Sequence, residues 1–248
     1  MQHILSHVRR CVQDYDMIRS GDEIAVGVSG GKDSLTTLCA LTALSRFYPE
    51  RFRVRAVSID MGFPALPTGE CADFSGIRTL CDRLEVPFTV IPTNIYEIVF
   101  VARKEANPCS LCANMRRGAL NRAAAALGCN KVALGHHRDD AVETLLLSLF
   151  YEGRISCFQP VTYLDRSGIT LLRPMLYVPE KDMRAFARRE GLPVFPRLCP
   201  EEGSSKRAEV KELLAAMRQK NPVLPEMLFG AIQRLPIDGW GRTAEPDE

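Results

Sequence analysis

The sequence is short of the features that place a chain quickly, and each lack narrows the reading. No apolar run approaches the roughly 18–20 residues of a membrane-spanning helix, so no helical membrane anchor is expected. The first ten residues, Met1–Arg10, hold no apolar core of a secretory leader, and secretion is not expected either. Neither sign of charge is in surplus: 32 Lys and Arg stand against 30 Asp and Glu, a net of +2. That balance neither demands nor excludes a nucleic-acid partner. The nine cysteines are an odd count, scattered through apolar stretches. They form no disulfide framework, and a reducing cytoplasm is the expected setting. A second Cys-x-x-Cys, an internal repeat and a true linker are all missing.

What is present is an ordinary globular composition, 46% hydrophobic and 25% charged over 248 residues. That is enough for one large domain, or a domain and a half, with a sizeable core. The most informative segment is Ser29-Gly30-Gly31-Lys32-Asp33-Ser34. Ahead of it, Glu23–Ser29 is a β-branched apolar run, the pattern of an interior parallel strand. Behind it, Leu35–Leu44 carries apolar residues at helical spacing. A glycine pair between strand and helix lets a ligand approach the main chain. The amides and helix N-terminus then face an anion, with Lys32 adding a point charge. The spacing is not that of a Walker A loop. Asp33 either orients a magnesium ion or caps the helix.

Two further segments carry chemistry. Cys109 and Cys112 form a Cys-x-x-Cys pair, followed by Arg116, Arg117 and Arg122. Such a pair suits redox exchange, half of a zinc site or part of an iron–sulfur site. Gly135-His136-His137-Arg138-Asp139-Asp140 offers a glycine for close approach, two imidazoles and two carboxylates, which also fit a helix N-terminus. The arginine clusters, including Arg184, Arg188 and Arg189, suit either phosphate contacts or solvated helix faces.

Periodicity predicts helices over Ile4–Arg19, Cys71–Leu84, Asn94–Val101, from the cysteine pair to Leu127, from Asp139 or Asp140 to Tyr151, and over Glu180–Glu190, Lys206–Gln219 and Pro225–Leu235. Strands are predicted at Arg53–Ile59, Phe88–Ile91, Lys131–Leu134 and Ile169–Leu172, with Gly153–Gly168 as a loop or irregular crossover. Alternating strands and helices imply an α/β fold: a parallel sheet with helices on both faces. Ligands in such sheets sit beyond the strand C-terminal ends, where Ser29, Asp60 and Gly135 are expected to converge. Asp60 would reach the ribose or base there, or merely start a turn.

In this order the motifs resemble the PP-loop ATPases, and among them the tRNA 2-thiocytidine biosynthesis (tRNA-cytidine 2-sulfurtransferase) enzymes. Arg173-Pro174 and the late Leu198-Cys199 continue the match, which runs from about Tyr15 to near Gln233. The resemblance implies an adenine nucleotide alpha-hydrolase-like domain over residues 1–195 with a short N-terminal helix. A C-terminal helical extension, 196–248, would pack back on the site, with a disordered tail from about Gly241. It implies that Ser29–Ser34 grip the pyrophosphate of ATP, and that His136 and Asp140 contact nucleotide or Mg2+. It also makes Cys199 the third ligand, with Cys109 and Cys112, of a 4Fe–4S cluster whose open iron takes sulfide. The sequence departs from the family at Pro196 or Arg197, where the best-known members carry a second late cysteine.

The implied activity is ATP-dependent thiolation at C2 of a tRNA base, an anticodon-loop cytidine first of all, releasing pyrophosphate and AMP. Expected partners are tRNA and either a cysteine desulfurase or free sulfide as sulfur donor, with a homodimer as a further arrangement. The alternatives are thiolation of another base such as uridine, or a non-catalytic iron–sulfur or ATP sensor on the same scaffold. Lysidine synthetases share Gly-His-His-x-Asp-Asp but have no need of Cys109, Cys112 and Cys199.

Overall fold

A computed structural model of the chain describes residues 1–65, 71–103, 108–195, 199, 206–235, 237 and 239–240. Its centre is a six-stranded sheet formed by β1 (Glu23–Gly27), β2 (Arg53–Asp60), β3 (Phe88–Pro92), β4 (Lys131–Ala133), β5 (Val161–Leu164) and β6 (Ile169–Leu172). The order across the sheet is β3-β2-β1-β4-β6-β5. Neighbours run parallel except β5 and β6, which are antiparallel.

Burial on both faces explains why the central strands read as unbroken apolar runs. Along β1, Ile24 and Val26 enter the larger core, while Ala25 enters a smaller one on the opposite face. The larger core is closed by α1 (Gln2–Asp14), α2 (Lys32–Ser45), α3 (Ser75–Leu84), α5 (Arg138–Glu152), α6 (Glu180–Arg189) and α8 (Leu224–Arg234). On the other face Leu120, Ala123 and Ala124 of α4 (Pro108–Ala126) pack against Ala25, Val57 and Val132.

The structure agrees with the expected parallel sheet and adds one antiparallel strand at its edge. Within the presumed loop Gly153–Gly168 lies β5, which turns back onto β6 through residues 165–168. Leu164 accepts from the amides of Ser167 (3.1 Å) and Gly168 (2.9 Å), and Gly168 takes φ +64°. A four-residue edge strand, only part-buried, carries too short an alternation to register as a period.

Three helices also differ in extent. The first ends at Asp14, because Asp16 turns with φ +45°. The third starts at Ser75, whose amide donates to Asp73 Oδ1 at 2.9 Å. Residues Glu97–Arg103 form a widened π-helical segment inside the stretch read as an ordinary helix. The tail expected from Gly241 lies outside the described residues.

Toward the C-terminus, α7 (Lys206–Lys220) and α8 both lie against α5. Beyond them Trp240 is fully buried, edge-on to Tyr15 (6.2 Å) and Phe229 (5.8 Å), and its Nε1 donates to Phe158 O at 2.9 Å. Residues from both ends of the chain therefore share one core. Trp240→Ala should cost about 3–5 kcal/mol by the usual loss for a buried aromatic. Urea denaturation checks this as a lowered midpoint. An unchanged midpoint would separate the C-terminal segment from the core.

Candidate active site at the switch point of the sheet

From β1 the chain runs outward to β2 and β3, then returns on the other side of β1 as β4. The crevice beyond the C-terminal ends of β1 and β4 is the position where such sheets bind ligands. The 29–34 turn and the Gly135–Asp140 segment meet there. A Cβ on Gly135 would stand 3.0 Å from both the Asp33 carbonyl carbon and the Ser34 amide nitrogen. Only a glycine lets the end of β4 lie against the first turn of α2 this closely.

Within the turn, Ser34 Oγ accepts from the Ser29 amide (3.1 Å) and donates to Gly31 O (2.9 Å). These bonds hold the loop open around the unpaired first amides of α2. Gly30 adopts φ +81°, and a Cβ there would overlap the Phe195 ring at 2.5 Å. The Phe195 amide also donates to Gly30 O at 2.9 Å.

Lys32 Nζ lies between Asp33 Oδ2 (2.9 Å) and Glu180 Oε1 (3.0 Å). Burial draws the ammonium's pKa down, but the two carboxylates outweigh it and leave the value raised. Burial likewise pushes the Glu180 carboxyl up, yet Lys32, Arg184 and Lys211 hold it at about 2. Asp33 Oδ1 is buried and without a hydrogen-bond partner. An orphaned carboxylate oxygen beside an anion loop fits Mg2+, which takes one or two carboxylates plus phosphate oxygens. A cavity of about 370 Å3 opens beside this pair, lined by Asp139, Glu143, Glu180, Lys211 and Leu214. Another, of about 280 Å3, is lined by Arg46, Arg53 and Glu85, none of which belongs to a motif.

The His-His-Arg-Asp-Asp run divides into structural and available groups. His137 is the N-cap of α5 in a capping box: its Nδ1 accepts from the Asp140 amide (3.4 Å), and Asp140 Oδ2 accepts from the His137 amide (2.9 Å). Asp139 Oδ2 accepts from the Glu180 amide at 2.8 Å and so starts α6. Arg207 of α7 reaches Asp140 (3.4 Å), Glu143 (3.0 Å) and the Thr144 hydroxyl (3.3 Å). His136 is different: its Nδ1 is buried without a partner. Burial, reinforced by Arg173, lowers its pKa to about 4, so the ring is neutral near pH 7. Arg173 lies 5.0 Å from the Phe158 ring, itself 5.0 Å from His136, and bonds Thr162 Oγ1 at 3.1 Å. Asp60 stands at the end of β2 on the same edge, where its Oδ1 accepts from the Gly62 amide at 2.9 Å, the turn-starting role.

Cys109 and Cys112 lie near the start of α4, three positions apart and so on neighbouring turns of one helix face. Burial raises the Cys112 pKa; Arg116 opposes this, while Cys199 and Cys109 add to it. Cys199, 87 positions further along the chain, thus lies within electrostatic reach of Cys112. Among the described residues no three His, Cys, Asp or Glu groups form the tight shell of a single ion. Thiolate sulfurs are the donors that iron–sulfur clusters take, and the three cysteines Cys109, Cys112 and Cys199 fit such a group by their chemistry. Cys11, Cys39, Cys81 and Cys129 are buried core residues, as expected, and Cys157 bonds Ala141 O at 3.5 Å.

Glu180, Arg207 and Phe195 are site residues that the sequence alone did not single out. Glu180 reads as the ordinary acidic start of a helix after Pro179, and Arg207 carries no motif. Phe195 was visible only as a neighbour of Cys199.

The Lys32–Glu180 pair fixes a pH dependence. A carboxyl lowered from 4.5 to about 2 on folding contributes stability fully present above about 4.5 and lost as pH falls through about 2. Thermal unfolding of wild type and Glu180→Gln should differ most near neutral pH and converge as pH drops below about 4.5. A gap that stays constant into acid would deny the pair this role.

Residues 2–196 match the PP-loop domain family. The tRNA-cytidine(32) 2-sulfurtransferase of Syntrophotalea carbinolica is 42% identical over 225 residues, covering 90% of this chain and 85% of the relative. That of Geobacter sulfurreducens is 39% identical over 232 residues, with 92% and 88% covered. That of Teredinibacter turnerae is 37% identical over 231 residues, with 92% and 74% covered. Among solved structures, the U34-tRNA thiolase NcsA from Methanococcus maripaludis, determined with its 4Fe–4S cluster, superposes with a TM-score of 0.74. It is 21% identical, with 93% of this chain and 76% of that one covered, a likeness of fold. With the anion loop, the Gly-His-His-x-Asp-Asp segment and the three cysteines on one framework, the chain belongs to the PP-loop ATPases, in the tRNA-cytidine 2-sulfurtransferase family.

Proposed function

We propose that this chain is an ATP-dependent tRNA sulfurtransferase that exchanges the C2 oxygen of an anticodon-loop cytidine for sulfur. The observation that carries the reading is the contact of Gly135 with the Asp33–Ser34 backbone, which joins the anion loop to the Gly-His-His-x-Asp-Asp segment, on a chain where Cys199 lies near enough to Cys112 to act on its charge. In the first half-reaction ATP adenylates the base oxygen and loses pyrophosphate. The amides of Gly30–Ser34 and Lys32 stabilise the charge on that leaving group, the largest contribution such a site can make. Glu180 must yield Lys32 to the phosphates as they enter. Asp33, through its unpartnered Oδ1, is the residue placed to hold Mg2+. Neutral His136 offers an uncharged hydrogen-bonding edge to the nucleotide, and Asp60 and Asp140 shape the crevice wall.

In the second half-reaction sulfur replaces the activated oxygen and AMP leaves. Cys109, Cys112 and Cys199 would hold a 4Fe–4S cluster, which when bound would supply a site for sulfide, delivered by a cysteine desulfurase or as free sulfide. Arg116, Arg117 and Arg122, all exposed on α4, suit contacts to RNA phosphates beside these thiols. Among the described residues no helix is long and apolar enough to cross a membrane, and a cytoplasmic setting suits a tRNA substrate.

Two variants separate the half-reactions. Lys32→Ala should lower tRNA-dependent pyrophosphate release by roughly 100- to 1,000-fold, the loss typical of one charge-stabilising group. The iron–sulfur absorbance should stay unchanged. Cys199→Ala should lose that absorbance and all thiolation while still binding ATP. Normal pyrophosphate release in the first, or full thiolation in the second, would overturn the assignment; so would four-coordinate zinc on the wild-type cysteines.

A further inference from the structure

One cluster of side chains beside the site is used neither by ATP nor by the cysteines. Phe63, on the segment leaving β2, meets Tyr96 and Phe100, on the segment leaving β3. Tyr96 and Phe100 stack at 5.6 Å with planes 22° apart, and Phe63 leans on them at 5.3 Å and 5.9 Å. All three rings are only part-buried, and none joins either hydrophobic core. These are held at the rim, with exposed Val101 alongside.

Their position is fixed relative to the thiols. The Tyr96 amide donates to Met61 O at 2.9 Å, and the Thr93 amide to Asp60 O at 2.9 Å, so the two loops are tied together. Met61 Sδ in turn lies 3.9 Å from Cys112 Sγ. The π-helical segment carrying Phe100 packs on α4, which presents Arg116, Arg117 and Arg122 to solvent. A patch of aromatic faces flanked by guanidinium groups complements single-stranded RNA, whose bases have π-faces and whose backbone is anionic.

We propose that Phe63, Tyr96 and Phe100 form a stacking platform for an unpaired nucleobase of the RNA substrate, a neighbour of the base being modified. The inference rests on the thiolation reading, which brings an RNA loop to this edge. Exposing C2 of one loop base to the sulfur site unstacks it from its neighbour. A ring surface beside Cys112 replaces the lost stacking and keeps the loop splayed.

The test uses the full chain with reconstituted cluster and an anticodon stem-loop RNA carrying 2-aminopurine at one loop position at a time. Wild type should bind and quench the fluorophore at a position adjacent to the modified base. Phe63→Leu and Tyr96→Leu keep apolar bulk but remove the π-face. They should weaken binding roughly 5- to 150-fold, the range of one lost base–aromatic stack. They should also abolish the quench while leaving the salt slope of binding and the cluster absorbance as in wild type. Tyr96→Phe should keep the quench. Equal affinity and quench in the Leu variants, no quench in wild type at any loop position, or loss of cluster absorbance together with binding would each overturn the platform. A wild-type protein that neither binds nor thiolates tRNA would instead bring down the reading beneath it.

Discussion

The architecture of the site depends on one close approach, that of Gly135 to the backbone of Asp33 and Ser34. Parallel pairing of β4 with β1 brings the two strand ends side by side, but a side chain at 135 would force them apart. Because they touch, the capping box of α5 opens beside the first turn of α2. His137 Nε2 then stands 3.9 Å from Asp33 Oδ1, and two helix N-termini face one crevice. Their summed dipoles and unpaired amides make that crevice attractive to a polyphosphate before any side chain is counted.

Side-chain charge is arranged around that field in a closed set. Lys32 is shared by Asp33 and Glu180, while Arg207 and Lys211 reach Glu143 from α7. Burial raises the Glu143 pKa, partly offset by Lys211 and Arg207, and Asp140 adds to the rise. These cations are thus paired with the protein's own carboxylates. An incoming phosphate exchanges one anionic partner for another, which limits the cost of holding a part-buried ammonium. The same pairs tie α6 to α2 and α7 to α5.

Phe195 connects this phosphate region to the thiols. Its ring fills the space that a side chain at Gly30 would need, and its amide bonds the loop's own carbonyl. Phe74 braces the ring edge-on at 5.0 Å. Cys199 stands four positions further along the sequence. An adenylated base and a sulfur source need to share one small volume. In the proposed reaction Phe195, seated on the glycine loop, marks the phosphate end of that volume.

Much of this was legible in the sequence, because it was written in local patterns. The apolar run before Ser29, the glycine pair with Lys32, the Cys-x-x-Cys and the Gly-His-His-x-Asp-Asp are short-range signals of strand end, anion loop, thiol pair and helix start. They gave the α/β class and the convergence of Ser29, Asp60 and Gly135. What they could not carry were relations between distant residues. The antiparallel β5 edge is too short to show a period. The Lys32–Glu180 pair spans 148 positions, Arg207 reaches Asp140 across 67, and the aromatic trio joins two separate loops. Each arises only when the sheet fixes which strand ends are neighbours. Residue type and spacing set the local chemistry, but parallel pairing and burial decide which groups stand close enough to share a charge or a substrate.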